Sequence, residues 1–144
     1  MLLGEYEHTI DDKKRLTLPA KFRRAFEDGI VVTRGIEDCL LGYTKDGWLH
    51  LVESTLATFH PLSKEGRQMH RHFFSAATEV VPDRQGRVSI PPALLEHAKL
   101  DRDVVVAGVN DHLEIWDRAA WRAELSEVEG SAEDVAERLA AQGS

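Results

Sequence analysis

Two short stretches of the chain alternate apolar, hydroxyl and apolar residues: Leu16-Thr17-Leu18 and Val88-Ser89-Ile90. A period of two puts Leu16 and Leu18 on one face and Thr17 on the other, which predicts a half-buried strand. Each stretch follows an extended segment, Tyr6 to Ile10 or Thr78 to Val81, and then a turn-rich pentad, Asp-x-x-x-Arg. Gly86 in the second pentad suits a backbone position with positive φ, where Lys14 stands in the first. Pro19 and Pro91 come next and suit the first turn of a short helix. Phe22 and Phe26, four apart, would share its buried face, as would Leu94 and Ala98. Two further strands are expected in each half, Ile30 to Thr33 and Leu40 to Tyr43, then Asp103 to Ala107 and Leu113 to Trp116. The order β-β-α-β-β is predicted twice.

The two halves match as sequences too. Asp11, Arg15 and Pro19 recur as Asp83, Arg87 and Pro91 at an offset of 72. The turn Gly35-Ile36-Glu37-Asp38 recurs as Gly108-Val109-Asn110-Asp111 at an offset of 73, and Trp48 is matched by Trp121. A unit of about 40–45 residues is too small to bury a stable core alone. Two units in one chain therefore predict a pseudo-symmetric body in which each completes the other. The expected organisation is a first unit at 5–47, a helical connector at 48–76, a second unit at 77–120 and an acidic helical tail at 121–144.

In the connector, Trp48, Val52, Leu56 and Phe59 lie at helical spacing, a run ended by Pro61. Ser63 is placed to cap a second helix carrying Met69, Phe73 and Ala76. In the tail, Asp117 caps a helix with Trp121, Leu125 and Val128, which Gly130 is expected to break. Ser131 with Asp134 would start a last helix through Val135 and Leu139, fraying at Gln142-Gly143-Ser144. Matched buried anchors are expected at Trp48 and Trp121.

Composition narrows the function. The 144 residues hold 18 Lys+Arg against 25 Asp+Glu, a net −7, which excludes a uniformly basic nucleic-acid binder. Residues 11–24 nevertheless hold six cations and two anions, a local +4. One cysteine, Cys39, excludes an intrachain disulfide and a Cys-rich zinc site. His60, His70 and His72 have no arranged acidic or thiol partner, so neither a metal nor a cofactor is expected. No apolar run suggests a membrane span, and the acidic start is no signal peptide, so a cytoplasmic protein is expected. No nucleophile triad, phosphate loop or HExxH string suggests an enzyme.

The Asp-x-x-x-Arg pentads carry the remaining chemistry. Arginine presents a rigid donor fork that suits guanine edges or phosphate. An aspartate four residues earlier can pair with it across the turn and fix its direction. From spacing alone, the same pair reads equally well as a structural bridge that closes the loop. Lys13, Lys14, Lys21, Arg23 and Arg24 flank the first pentad, and Arg84 the second, as candidate phosphate contacts, which position a protein without reading sequence, and Gln85 could reach a base or a phosphate.

Asp11-Asp12-Lys13-Lys14-Arg15-Leu16-Thr17-Leu18-Pro19 and Asp83-Arg84-Gln85-Gly86-Arg87-Val88-Ser89-Ile90-Pro91, with Leu113-Glu114-Ile115-Trp116-Asp117, resemble the MraZ family of bacterial transcription regulators. The resemblance implies an α+β, mainly β fold. It would consist of two tandem swapped-hairpin AbrB-like units forming one pseudo-two-fold barrel, plus the connector and C-terminal helices. It implies binding to double-stranded DNA with direct repeats in the protein's own division and cell-wall promoter, mainly as a repressor. It also implies a homo-oligomeric ring, commonly an octamer, in the cytoplasm and nucleoid. By the family's motif, Asp11, Arg15, Asp83 and Arg87 would form the DNA-binding loops. Lys14 departs from the usual glycine and adds a cation. The alternative is a protein-interaction module of antitoxin type on the same fold.

Overall fold

A computed structural model describes residues 1–143; Ser144, the end of the expected fraying segment, lies outside them. Among the described residues the strands are β1 (Leu2–Thr9), β2 (Arg15–Thr17), β3 (Ile30–Arg34), β4 (Leu40–Tyr43), β5 (Thr78–Val80), β6 (Arg87–Ser89), β7 (Asp103–Asn110) and β8 (Leu113–Asp117). The helices are α1 (Lys45–Ser54), α2 (Lys64–Phe74), α3 (Pro92–His97) and α4 (Arg118–Gln142), with short 3-10 turns at Ala20–Phe22 and Leu56–Thr58.

Six strands form one antiparallel sheet in the order β1-β7-β8-β4-β3-β5. That order is unchanged when each strand of one half is exchanged for its counterpart in the other. The first strand of each half pairs with the third strand of the opposite half: β1 with β7, and β5 with β3. At the centre β4 pairs with β8 across the pseudo-two-fold axis. The remaining strands, β2 and β6, pair with each other in a separate two-stranded ribbon.

The expected barrel is not formed. β1 and β5 are the two outer strands of an open sheet, and only an isolated Ile10–Leu16 bridge reaches from the end of β1 towards the ribbon. The ribbon strands are three residues long and each is followed within two residues by proline, Pro19 or Pro91. Proline has no N–H to extend a ladder. The ribbon therefore lies over one face of the sheet instead of closing it.

Alternation along the central strands explains the layers. Ile30 and Val32, Val104 and Val106, and Leu113 and Ile115 point to the ribbon side. There they form one core with Leu16, Leu18, Phe22, Phe26, Val88, Ile90 and Leu94. The intervening Val31, Thr33, Val105 and Ala107 are buried on the opposite face, where α1, α2 and the start of α4 pack against the sheet. The buried Thr33 hydroxyl donates to the Phe73 carbonyl of α2 at 2.6 Å. Among the described residues no helix is long and apolar enough to cross a membrane.

Local expectations were met unevenly. Ser63 and Asp117 cap their helices as expected, accepting from the backbone N–H of Gly66 and Ala120, and Thr44, which was not expected as a cap, accepts from that of Gly47 at the start of α1. Pro19 and Pro91 stand one position before their turns, and Pro92 occupies the first turn of α3. After Pro19, successive i to i+3 bonds through Phe26 make tight turns rather than an α-helix. The connector helix ends at Ser54, and Leu56 is buried in a separate 3-10 turn. Gly130 does not break the tail: α4 is one helix of 25 residues. Glycine in a helix costs about 1 kcal/mol, which intact flanking turns can absorb, and Ser131 Oγ donates back to the Glu127 carbonyl rather than capping. Trp48 and Trp121 are half-buried, not fully buried anchors. Trp48 meets Tyr43 and Phe74, and Trp121 meets Trp116.

Close backbone approach at Gly108 lets β1 reach β7. A Cβ there would lie 2.6 Å from the Leu2 carbonyl carbon and the Leu3 nitrogen. Gly108→Ala is therefore expected to push β1 outward and destabilise the protein by about 1–3 kcal/mol. The measurement is a urea unfolding curve, and an unchanged midpoint would show that β1 is not held by this contact.

Candidate nucleic-acid interface

The two Asp-x-x-x-Arg loops are built alike. In the first, the Asp11 carboxylate accepts from the backbone N–H of Lys13 and Arg15, both at 2.9 Å, and from Arg15 Nε at 2.8 Å. In the second, Asp83 accepts from the N–H of Gln85 and Arg87, both at 2.9 Å, and from Arg87 Nε at 2.7 Å. Backbone bonds close each loop: Asp11 N donates to the Arg15 carbonyl and Lys14 N to the Asp11 carbonyl, with the same pair at Asp83, Gly86 and Arg87. The fourth residue turns the chain with positive φ, 62° at Lys14 and 76° at Gly86. Lysine is held there by the surrounding bonds although it lacks glycine's freedom.

These contacts show what the aspartates do locally. Each carboxylate is held below the usual aspartate range, first by the arginine backbone N–H and further by the arginine side chain, against a smaller cost of burial. An exposed ion pair contributes little by itself. Here the same carboxylate also satisfies two backbone donors, so it shapes the loop and aims the arginine together. Only Nε of each arginine is engaged, and the two Nη groups make no hydrogen bond among the described residues.

Register brings the loops together. Within the ribbon, Arg15 stands opposite Ser89 and Thr17 opposite Arg87, with Leu16 opposite Val88 between them. Leu16 and Val88 are both 0% exposed. Because side chains alternate across a strand, Arg15, Thr17, Arg87 and Ser89 share the outer face. The two arginines are diagonal neighbours, with Cα atoms about 7–8 Å apart. Each loop also locks the opposite strand: Leu18 N donates to the Gly86 carbonyl at 2.8 Å, and Ile90 N to the Lys14 carbonyl at 2.9 Å.

Lys13, Lys14, Arg84 and Gln85 are exposed on the loops, and Lys21 is exposed on the 3-10 turn after Pro19. Arg23 adds something the sequence reading placed only among flanking charges. Its Nε donates to the Leu18 carbonyl at 3.1 Å, and its side chain lies where a Cβ on Gly86 would stand. With Arg24 and Arg84 it lines a shallow cleft beside the second loop. Thr17 and Ser89 were read only as the polar side of two strands. The same alternation, applied to Arg15 and Arg87, places all four on one face.

The histidines of the connector are tied to backbone rather than gathered. His70 Nε2 lies 2.9 Å from the Leu56 carbonyl, and His72 Nε2 lies 2.9 Å from that of Gly35. Among the described residues, no three His, Cys, Asp or Glu side chains gather as a metal site. The buried Cys39 thiol is pushed up to about 12, mainly by burial and then by neighbouring carboxylates.

A family model described as "MraZ protein, putative antitoxin-like" matches residues 1–68 and 73–142. The chain is similar to the transcriptional regulator MraZ of Ligilactobacillus salivarius, 45% identical over 139 residues, 96% of each chain. It is similar to the transcriptional regulators MraZ of Roseiflexus sp. and Roseiflexus castenholzii, each 45% identical over 141 residues, 97% of each chain.

The loops predict a pH dependence. Each aspartate binds its proton less readily in the folded loop than in the unfolded chain. The loops' contribution to stability is therefore full above the ordinary aspartate value of about 3.9. It is lost as pH falls through the depressed folded value. NMR titration of the Asp11 and Asp83 carboxyl carbons should give midpoints below that of free aspartate, and midpoints at or above it would contradict the loop geometry.

Proposed function

Because the chain belongs to the MraZ family, we propose that it is a sequence-specific DNA-binding transcription regulator whose reading surface is the β2–β6 ribbon. The observation that carries this is the pair of identically braced arginines, Arg15 and Arg87, on one outer face with their Nη groups free. A major groove admits a two-stranded β-ribbon, and an arginine fork matches guanine O6 and N7. Asp11 and Asp83 aim the forks. Lys13, Lys14, Lys21, Arg84 and Gln85 hold the phosphates on either side, with Arg24 beside them.

The strand exchange supports reading the chain as two tandem AbrB-like swapped-hairpin units, 5–47 and 77–120, with a connector at 48–76 and a tail at 121–144. On this reading the protein works without catalysis, in the cytoplasm at the nucleoid. It binds direct repeats in the promoter of its own division and cell-wall cluster, mainly as a repressor. A ring of subunits, an octamer by family likeness, would set several ribbons along repeated boxes, so that weak single contacts combine through high effective concentration. The family description also carries the word antitoxin. A protein-binding module is therefore the second reading, distinguished by capture of a protein partner in place of promoter DNA.

Fluorescence anisotropy with the DNA directly upstream of the gene, containing two tandem boxes, tests this. Arg15→Ala and Arg87→Ala should each weaken binding by about 1–3 kcal/mol while the fold is kept. Lys13→Ala should weaken binding to all sequences alike and lower the salt slope by about 1. Unchanged affinity in the Arg15→Ala/Arg87→Ala double variant would sink the proposal.

A further inference from the structure

The strand exchange moves charge from one half to the other. In sequence Arg23 and Arg24 follow the first pentad, but in the fold they stand beside the second. With Arg84 they line a shallow cleft that Glu27, Asp83 and Gly86 complete. Arg23 is braced through Nε, as Arg15 and Arg87 are, and its Nη groups make no hydrogen bond among the described residues. Arg23, Arg24 and Arg84 have no ion-pair partner among those residues. The Asp83 carboxylate is already engaged by Arg87 and the loop backbone, which leaves Glu27 against three guanidinium groups. Gly86 makes room for this cluster: a Cβ there would lie 2.7 Å from Arg23 Nε and 2.8 Å from Arg23 Cδ. The other half is built differently. Lys14 stands in the place of Gly86, and Leu95, Glu96 and Asp12 stand in the places of Arg23, Arg24 and Arg84. Lys99, in the place of Glu27, is tied to Asp38 at 3.0 Å.

We propose that the Arg23–Arg24–Arg84 cleft holds one backbone phosphate of double-stranded DNA and so fixes which way round the ribbon lies on a non-palindromic box. This deepens the reading of the ribbon as a DNA-binding surface and rests on it. On the ribbon's outer face the pseudo-two-fold exchanges Arg15 with Arg87 and Thr17 with Ser89. Those side chains alone would dock almost equally well in either direction. Direction must come from something that only one end of the ribbon has. Phosphate contacts set register and orientation on a duplex, and arginine forks suit phosphate oxygens. The cleft shares Asp83 and Gly86 with the second loop, so a duplex whose groove takes the ribbon carries a backbone past it. At the first loop the matching Glu96 and Asp12 would repel that backbone. The basic turn thus serves the pentad of the opposite half, not the one it follows in sequence.

Directed DNA cleavage tests the direction. Thr9 and Val81 are matching exposed positions, each two residues before a pentad. Cys39 is 2% exposed, so a label goes to an introduced cysteine. The probe is a duplex with one box, trimmed from the DNA directly upstream of the gene. An iron chelate on Val81→Cys should cut one flank of the box, and on Thr9→Cys the opposite flank. Arg23→Ala/Arg24→Ala, with unchanged circular dichroism, should weaken binding at least about tenfold at about 0.1 M salt and spread each label's cuts to both flanks. Gly86→Ala removes no charge but displaces Arg23. It should weaken binding in the otherwise native chain and have no further effect in an Arg23→Ala chain. Cuts on both flanks before any arginine is removed, one-sided cuts that survive Arg23→Ala/Arg24→Ala, or equal effects of Gly86→Ala in both backgrounds would overturn the proposal while leaving the DNA reading intact. A native chain that binds none of the upstream DNA would overturn that reading and this proposal together.

Discussion

The exchange of strands between the two halves is the constraint on which the rest depends. Each half has only a hairpin of its own, β3–β4 or β7–β8, and its first strand is paired by the other half: β1 finds its partner in β7 and β5 in β3. A half of this size cannot remove enough apolar surface from water to offset its chain entropy. Joined, the halves build one core beneath the ribbon, where Leu16, Leu18, Val32, Val88, Val104, Leu113 and Ile115 are all completely buried. The ribbon itself exists only because both halves contribute one strand. The relative position of Arg15 and Arg87 is therefore set by the core, not by either loop.

Each loop adds a local device to that global one. Its aspartate satisfies backbone donors that a tight turn would otherwise leave to water and, with its second oxygen, holds the arginine. The outer face of the ribbon is consequently stiff at the backbone and at Nε, but open at Nη. Pre-aimed donors lose little freedom on meeting an acceptor. The carbonyls of Lys14 and Gly86 accept from the N–H groups of Ile90 and Leu18 of the opposite half, which joins the two loops into one surface.

Much of this was legible in the residues. Period-two alternation located β2 and β6, the repeat located the two loops, and Gly86 marked the positive-φ position that Lys14 shares. The Asp–Arg pairing followed from spacing across a turn. Other features could not be read. Whether Arg15 and Arg87 face the same way depends on register between strands more than 70 residues apart, which no local pattern encodes. The open sheet depends on where two three-residue strands stop, and so on tertiary position. At Gly130 the sequence carries a real helix-weakening signal. The structure overrides it because the flanking turns on both sides continue without a competing turn conformation.

Charge placement follows from the same layering. The ribbon and its basic flank lie on one side of the sheet, and α4, which holds six of the chain's acids, begins on the other. A sheet thickness separates the +4 segment from the acidic helix, so the two fields do not cancel locally despite a net charge of −7. Exposed charges further apart than about 10 Å are largely screened at ordinary salt. A polyanion approaching the ribbon therefore meets the loop cations first, while approach to α4 is opposed. The acidic surplus narrows which face can be approached, and an acidic total is compatible with a cationic working surface when a rigid sheet keeps the two apart.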